Sequence, residues 1–198
     1  EYDELGNRVL TTHEDGTDTG YTYDGKGNIV ETRNRRGQSN VFTYDERGLL
    51  VRKDFPDGSH DEFTYDARGN VLTATDASGT TTFEYDGTNQ ISKITYPNGR
   101  FLQYSYDNGG RNRTRMTDQD GNVVKYAYDG IGRLTELTDG NDDLIVRYTF
   151  DTTGQVVGKT MGNGATSALG YNDIGDVQSI ENSTAGGTVF SRFDYTYD

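Results

Sequence analysis

Apolar and polar residues alternate along short stretches of this chain, and the apolar ones are mostly aromatic. In "YTYD", "FTYD", "FEYD", "YSYD" and "YAYD" two rings stand at i and i+2, directly before an acid. A period of two puts both rings on one face of a strand. A few residues later, Ile29, Leu50, Val71, Ile91, Leu134, Val156 and Val177 occupy one equivalent position, and Arg8 and Asn112 break that column. No helical period competes. The pattern predicts strands of about six residues throughout.

Turn chemistry separates the strands. The aromatic–acid pair recurs at Tyr2-Asp3, Tyr23-Asp24, Tyr44-Asp45, Tyr65-Asp66, Tyr85-Asp86, Tyr106-Asp107, Tyr128-Asp129, Phe150-Asp151, Tyr171-Asn172 and Tyr197-Asp198. Successive spacings are 21, 21, 21, 20, 21, 22, 22, 21 and 26, which makes nine repeats across residues 1–198. Three residues after the acid comes Gly6, Gly27, Gly48, Gly69, Gly110, Gly132, Gly154 or Gly175; after Asp86 it is Asn89. Asparagine is the non-glycine residue that best tolerates φ > 0, so the exception identifies a left-handed backbone position. The acid reads as an Asx-turn acceptor for the N–H groups ahead of it, a role Asn172 can share. About ten residues on, a second turn follows at Gly16, Gly37, Gly58, Gly79, Gly99, Gly121 and Gly164; "TDGNDD" fills that slot in the seventh repeat, and the ninth is lengthened around "AGG". Two strands and two turns per repeat give a hairpin, marginal alone and stabilised by stacking on its neighbours.

Composition taken alone points elsewhere. Leu, Ile, Val and Phe make up 37 of 198 residues and the formal charge is −13, a combination typical of disordered chains. That rule ignores fifteen tyrosines, each a large apolar body with a polar tip. A disordered chain also has no reason to hold a register over nine repeats. The fold is therefore expected to be all-β, a solenoid of stacked antiparallel hairpins in a curved or spiralling sheet. The chain has no Cys, which removes disulfides and thiolate metal sites. No apolar run approaches the length of a membrane span, and the acidic balance argues against nucleic acid. The opening residues "EYDELGNRVL" lack the features of a signal peptide and read as mid-repeat, so a fragment of a longer array is expected.

The pattern Y-x-Y-D-x-x-G-x-apolar at a 21-residue period resembles the YD repeats of Rhs-type proteins. That family includes polymorphic bacterial toxins, shell components of insecticidal toxin complexes and animal teneurins. The resemblance covers essentially the whole chain. It implies a hairpin strip spiralling into a hollow shell, which encloses a C-terminal toxic domain in the toxins and belongs to an adhesion ectodomain in teneurins. No segment resembles the family's terminal core with its self-cleaving acids, nor a toxin domain. A β-propeller would pair two repeats per blade, but its inner and outer hairpins differ, whereas these all carry one signature. Choline-binding repeats rely on Trp, and this chain has none.

No catalytic constellation emerges. His13 and His60 are the only histidines, each in a turn region and without a matched nucleophile. "DQDGN" (residues 118–122) and "DGNDD" (139–143) superficially suggest calcium loops but lack the ligand spacing and closing Glu. No catalytic, cofactor or metal residue is expected. The residues that matter form the structural repeat: Tyr23, Asp24, Gly27, Tyr44, Asp45, Gly48, Tyr65, Asp66, Gly69, Tyr85, Asp86, Asn89, Tyr106, Asp107, Gly110, Tyr128, Asp129 and Gly132. The tyrosine rings are expected to pack between repeats, with hydroxyls reaching the turn or solvent. Lys26, Arg47 and Arg68, two residues beyond their Asp, and Arg111 and Arg133, four beyond, are placed to compensate the acids locally.

The resemblance implies a non-enzymatic segment of a secreted or cell-surface bacterial shell. Its partners would be the rest of that shell and an enclosed toxin domain, with no nucleic acid and no membrane insertion by this segment. The alternative is a surface adhesion or carbohydrate-binding array on the same scaffold, with a cell-surface glycan or protein as its partner.

Overall fold

The computed structural model describes residues 1–197; Asp198, the last acid of the repeat series, lies outside them. All regular structure in it is β-strand, and the all-β hairpin fold expected from the repeat is what forms. The chain divides into two compact units, Glu1–Glu84 with Ile94–Arg100, and Tyr85–Lys93 with Phe101–Asp198. The first contains β1 (Leu10–Thr12), β2 (Asp18–Tyr23), β3 (Ile29–Arg33), β4 (Ser39–Tyr44), β5 (Leu50–Asp54), β6 (His60–Tyr65), β7 (Val71–Asp76) and nearly all of β8 (Gly79–Tyr85). Within it each strand from β1 to β8 pairs antiparallel with the next in chain order.

Strand β9 (Ile91–Thr95) is divided between the units. The second unit contains β10 (Phe101–Tyr106), β11 (Arg113–Asp118), β12 (Val123–Tyr128), β13 (Leu134–Asp139), β14 (Leu144–Phe150), β15 (Val156–Met161), β16 (Thr166–Tyr171), β17 (Val177–Ser183) and β18 (Val189–Asp194). Its strands again pair antiparallel in chain order, β10 through β18. Within each unit, and among the described residues, strands pack only against their chain neighbours.

One consequence is an almost absent core. Val146, 7% exposed, is the one buried large hydrophobic residue among those described. The accessible surface is 12918 Å², against roughly 9,300 Å² for a globular monomer of this mass. Burial is instead partial and alternates by face. In β4, β6 and β10 the aromatics Phe42, Tyr44, Phe63, Tyr65, Tyr104 and Tyr106 are half-buried, while Thr43, Thr64 and Ser105 between them are exposed.

The register explains the other face. Thr43 stands opposite Arg52, Arg52 opposite Glu62, and Glu62 opposite Thr75, a polar row crossing four strands. Ala127, Glu136, Arg147 and Thr160 form a similar row in the second unit. Charges on this face are matched across strands, Arg147 to Glu136 at 2.6 Å, Arg192 to Glu181 at 2.9 Å and Arg52 to Glu62, and Arg52 also pairs with Asp54 two residues along its own strand. A bulge recurs where the Y-x-Y strand meets the turn, between Thr22 and Tyr23, Thr43 and Tyr44, and Thr64 and Tyr65. It sets the tyrosine opposite the first aliphatic residue after the turn: Tyr23 faces Ile29, Tyr44 faces Leu50 and Tyr65 faces Val71. That pairing accounts for the aliphatic column seen in the sequence.

Candidate functional site

The repeated unit of chemistry is the turn after each aromatic–acid pair. Asp24 shows its construction. Its Oδ1 accepts hydrogen bonds from the backbone N–H of Lys26 (2.8 Å) and Asn28 (2.9 Å), and its Oδ2 accepts one from Asn28 Nδ2 (2.9 Å). The main chain closes the same loop, with Gly27 N–H donating to the Asp24 carbonyl at 3.1 Å and Asp24 N–H donating to the Asn28 carbonyl at 2.9 Å. Asp45, Asp66 and Asp129 repeat the pattern toward the N–H groups two and four residues on. Asp86 does so toward Thr88 and Gln90. Gly27, Gly48, Gly69, Gly110 and Gly132 have φ between +63° and +92°, and Asn89 has φ +69°. The left-handed residue turns the chain so that the aspartate carboxylate three residues earlier faces the N–H groups two and four residues beyond it.

Two features of these turns were not evident in the sequence. The Asn four residues after the acid donates a third bond in the Asp3, Asp24 and Asp66 turns; the recurring "GN" at Asn7, Asn28 and Asn70 was the signal that could have shown it. In "TDGNDD" the left-handed residue is Asp142, at φ +70°, and the Asp139 carboxylate accepts from Asn141 and Asp143 N–H. The glycine of that motif, Gly140, is not the left-handed one.

The "YDNGGRNR" turn corrects the aliphatic column. Here Asp107 N–H donates to the Asn112 carbonyl, five residues on instead of four, while Gly110 N–H still donates to the Asp107 carbonyl at 2.9 Å. The loop is one residue longer, so Arg113, not Asn112, faces Tyr106.

The tyrosine hydroxyls are also placed more specifically than expected. They reach neither solvent alone nor the turn. In the first unit Tyr23, Tyr44 and Tyr65 donate to the backbone carbonyls of Arg8 (3.0 Å), Ile29 (2.8 Å) and Leu50 (2.6 Å). In the second, Tyr106, Tyr128, Tyr171 and Tyr197 donate to Ile91 (2.9 Å), Arg113 (3.0 Å), Val156 (2.8 Å) and Val177 (2.8 Å). Each bond runs from one turn hairpin back to the strand of the preceding one. Tyr85 closes β8 and Asp86 opens the next turn.

Burial raises the phenol pKa of Tyr44, Tyr65, Tyr106 and Tyr128, with a neighbouring turn aspartate adding to the effect in each. The turn carboxylates shift the other way. Asp24 and Asp66 are held below the ordinary 3.8 first by the side chains of Asn28 and Asn70, and Asp45 and Asp86 first by backbone N–H groups.

Basic residues do more than neutralise their own turn. Arg47 pairs with Asp45 at 3.0 Å and also donates to the carbonyl of Asp66 in the following turn at 2.8 Å. Lys26 passes over its own acid to donate to the Glu46 carbonyl at 2.9 Å. Arg133 pairs with Asp129 at 2.7 Å and lies 4.4 Å over the ring of Phe150. Other basic residues are placed over rings in the same way. Lys53 sits over Phe42 and Phe55, and Arg113 over Tyr104 and Tyr126. Basic stems and heads thus cover rings that a one-layer sheet leaves half-exposed.

Between successive turns lie open grooves. One of about 390 Å³ is floored by Val30, Phe42 and Tyr44, and an equivalent one of about 550 Å³ by Val157, Leu169 and Tyr171. Their rims are the turn residues, Asp24, Lys26 and Asp45 in one, Asp151, Gln155 and Asn172 in the other. No group of three or more His, Cys, Asp or Glu residues placed to hold a metal ion occurs among the described residues. His13 Nε2 lies 3.0 Å from Thr19 Oγ1, and His60 lies 3.8 Å from Glu62. In the "DQDGN" turn the Asp118 oxygens accept bonds from Asp120 N–H, Asn122 N–H and Asn122 Nδ2. Among the described residues no helix is long and apolar enough to cross a membrane.

The recurrent turn is matched by two family models. RHS Repeat matches at residues 44–81, 65–100 and 85–111, and Teneurin YD-shell at 102–191. Residues 44–191 of this chain carry RHS/YD repeats. A search of curated protein sequences gives no match. Among solved structures, the crystal structure of TcdB2-TccC3-TEV matches 98% of this chain with a TM-score of 0.78 at 18% identity. TcdB2-TccC3-Cdc42 matches 98% with a TM-score of 0.80 at 17% identity. The Photorhabdus luminescens Tc holotoxin pore carrying the TccC3-D651A mutation matches 98% with a TM-score of 0.80 at 18% identity. The YD-repeat chain spans 11–12% of those solved chains. At this identity the likeness is one of fold.

Proposed function

We propose that residues 1–198 are a tandem YD-repeat segment of a longer array, and that they form part of the wall of a shell enclosing and carrying a C-terminal toxin domain. The role is mechanical and non-enzymatic, and its setting is a secreted or cell-surface bacterial protein. The observation that carries this reading is the tyrosine bond between hairpins. Tyr44 to Ile29 and Tyr65 to Leu50 in the first unit, and Tyr106 to Ile91 and Tyr128 to Arg113 in the second, fasten each hairpin to the one before it. A wall must hold its register without a core beneath it, and a hydrogen bond that recurs at the tyrosine-headed turns of both units supports that. Its partners on this reading are the remaining shell and the enclosed passenger.

Protease protection of the native parent protein tests the proposal. Mass spectrometry should find a C-terminal passenger that survives digestion while the repeats are folded and is degraded once they are denatured. A passenger cleaved equally in both states, or no passenger at all, refutes the container.

The inter-turn grooves favour a second reading, a surface adhesion or carbohydrate-binding array. Each combines an apolar floor containing a tyrosine ring with a polar rim, the composition of a shallow glycan site. Saturable binding to a glycan array would support it.

A further inference from the structure

Arg113 stands in the column where most repeats carry an aliphatic side chain. Across the bulge it faces Tyr106, as Ile29 faces Tyr23 and Leu50 faces Tyr44 in the first unit. Its guanidinium lies on the aromatic face between two rings, 5.1 Å from the centroid of Tyr104 and 4.7 Å from that of Tyr126. Tyr128 donates to its main-chain carbonyl at 3.0 Å. Burial raises the Tyr106 and Tyr128 phenols, and the Arg113 charge opposes that rise in both. Four tyrosines thus border one cation.

The cation is held without being paired. Arg113 Nε is enclosed and has no hydrogen-bond partner among the described residues, and no carboxylate among them pairs with the guanidinium. The acids that act on Tyr106 and Tyr128 are Asp86 and Asp107, and both are engaged in their own turns. Asp86 accepts from the Thr88 and Gln90 N–H groups, and Asp107 from those of Gly109 and Arg111. Arg8, the other arginine of the column, does have a partner, its Nη2 lying 3.2 Å from the Tyr21 hydroxyl. A guanidinium keeps its charge, and in surroundings of low polarity its unpaired donors attract an anion more strongly than in water.

We propose that Arg113 is a binding site for a carboxylate, which enters end-on through Nη1 and Nη2. Enclosure of Nε shuts the side-on approach, whereas Nη1 and Nη2 are not enclosed, so the fork is the open end of this half-buried side chain. Its parallel N–H groups match the two oxygens of a carboxylate. The rings select among anions. A planar carboxylate continues the guanidinium plane and keeps its oxygens between Tyr104 and Tyr126. A tetrahedral phosphate turns oxygens toward the ring faces, which carry the negative end of the quadrupole. The main chain of β11 is taken up by β10 on one side and β12 on the other, so no incoming strand can pair there. The ligand is therefore recognised by side chains, as a small organic acid or the acid group of a sugar. The site goes beyond the wall role and does not depend on what the wall encloses.

The Arg113 Nε–H resonance in proton–nitrogen NMR spectra of the 198-residue chain reads the site directly. The chain is titrated with sodium acetate, sodium glucuronate and sodium phosphate at constant ionic strength and about pH 6, where carboxylates are ionised. Both carboxylates should shift the resonance saturably, half-saturating on the order of 10 mM, with phosphate about tenfold weaker or more. Tighter binding of glucuronate than of acetate assigns the site to a sugar acid, and equal binding assigns it to the carboxylate alone. Arg113→Met places an apolar residue where the column ordinarily has one, so it should fold, and the Tyr104 and Tyr126 amide resonances should no longer respond to either acid. Arg113→Lys keeps the charge without the fork and should bind about tenfold more weakly. No saturable shift with either carboxylate, phosphate binding as tightly, or binding undiminished in Arg113→Met or Arg113→Lys overturns the proposal.

Discussion

At the scale of single residues, the turn sets geometric demands that few side chains meet. Among the described residues Asn89 and Asp142 are the two non-glycine residues with positive φ, and both are short polar residues that tolerate the left-handed region. Elsewhere glycine is required by proximity instead. Gly162 donates its N–H to the Ile145 carbonyl, and a Cβ there would collide with the Leu144 carbonyl oxygen. That oxygen belongs to the main chain and cannot swing aside. Gly162→Ala should therefore destabilise the chain by about 1–3 kcal/mol, the usual cost of overpacking, as measured by denaturant unfolding. A change within experimental error would show that β14 and β15 separate freely at this point.

At the scale of the hairpin, the tyrosine that heads each turn has two attachments. Its ring faces an aliphatic residue across the bulge, and its hydroxyl reaches a carbonyl of the preceding hairpin. Tyr65→Phe keeps the first and removes the second, leaving the Leu50 carbonyl without its 2.6 Å donor. The expected loss is about 0.5–1.5 kcal/mol, with faster amide exchange in β5 and β6. The chain contains the same substitution naturally at Phe150, where the Arg133 guanidinium over the ring provides a different tie to the preceding turn. If Tyr65→Phe left stability and exchange unchanged, the hydroxyl bonds would not be what fastens hairpins together.

At the scale of the whole chain, stability should depend on pH at both ends of the range. The turn aspartates have folded pKa values below the ordinary 3.8, the hydrogen bonds described above being the cause. The unfolded chain therefore binds protons more readily, and the stability these groups contribute is complete above about pH 5 and lost as pH falls through their folded pKa. The half-buried tyrosines are raised above 10.0, so their contribution is intact below that value and lost as pH rises past it. Thermal unfolding across pH should show a plateau between roughly pH 5 and 9, falling on either side. A steep decline between pH 7 and 5 would contradict it, because the hydrogen-bonded aspartates that carry the acid limb, Asp3, Asp24, Asp45, Asp66 and Asp129, are held below 3.8. The −13 charge is compatible with this breadth, since many of the acids sit in turns where N–H groups or basic side chains meet them, and the polar face pairs its charges across strands.

Much of this was legible in the sequence, for a physical reason. Strand period, turn chemistry and left-handed positions are local properties, fixed by a few consecutive residues, and repetition made them unmistakable. The nine-fold hairpin array and its Asx-type turns follow from residues such as Asp24, Gly27 and Asn89 without any knowledge of where distant parts of the chain lie. What only the tertiary structure decided depends on a second strand being present. The destination of the tyrosine hydroxyls, the forward reach of Lys26 and Arg47, and the basic residues lying over rings all join residues from neighbouring hairpins. Even the identity of the column residue at Arg113 required pairing, because a one-residue insertion in a turn changes which side chain faces Tyr106 and leaves the local motif intact. Local chemistry determined that the chain folds into hairpins, and contacts between hairpins determined how they are fastened.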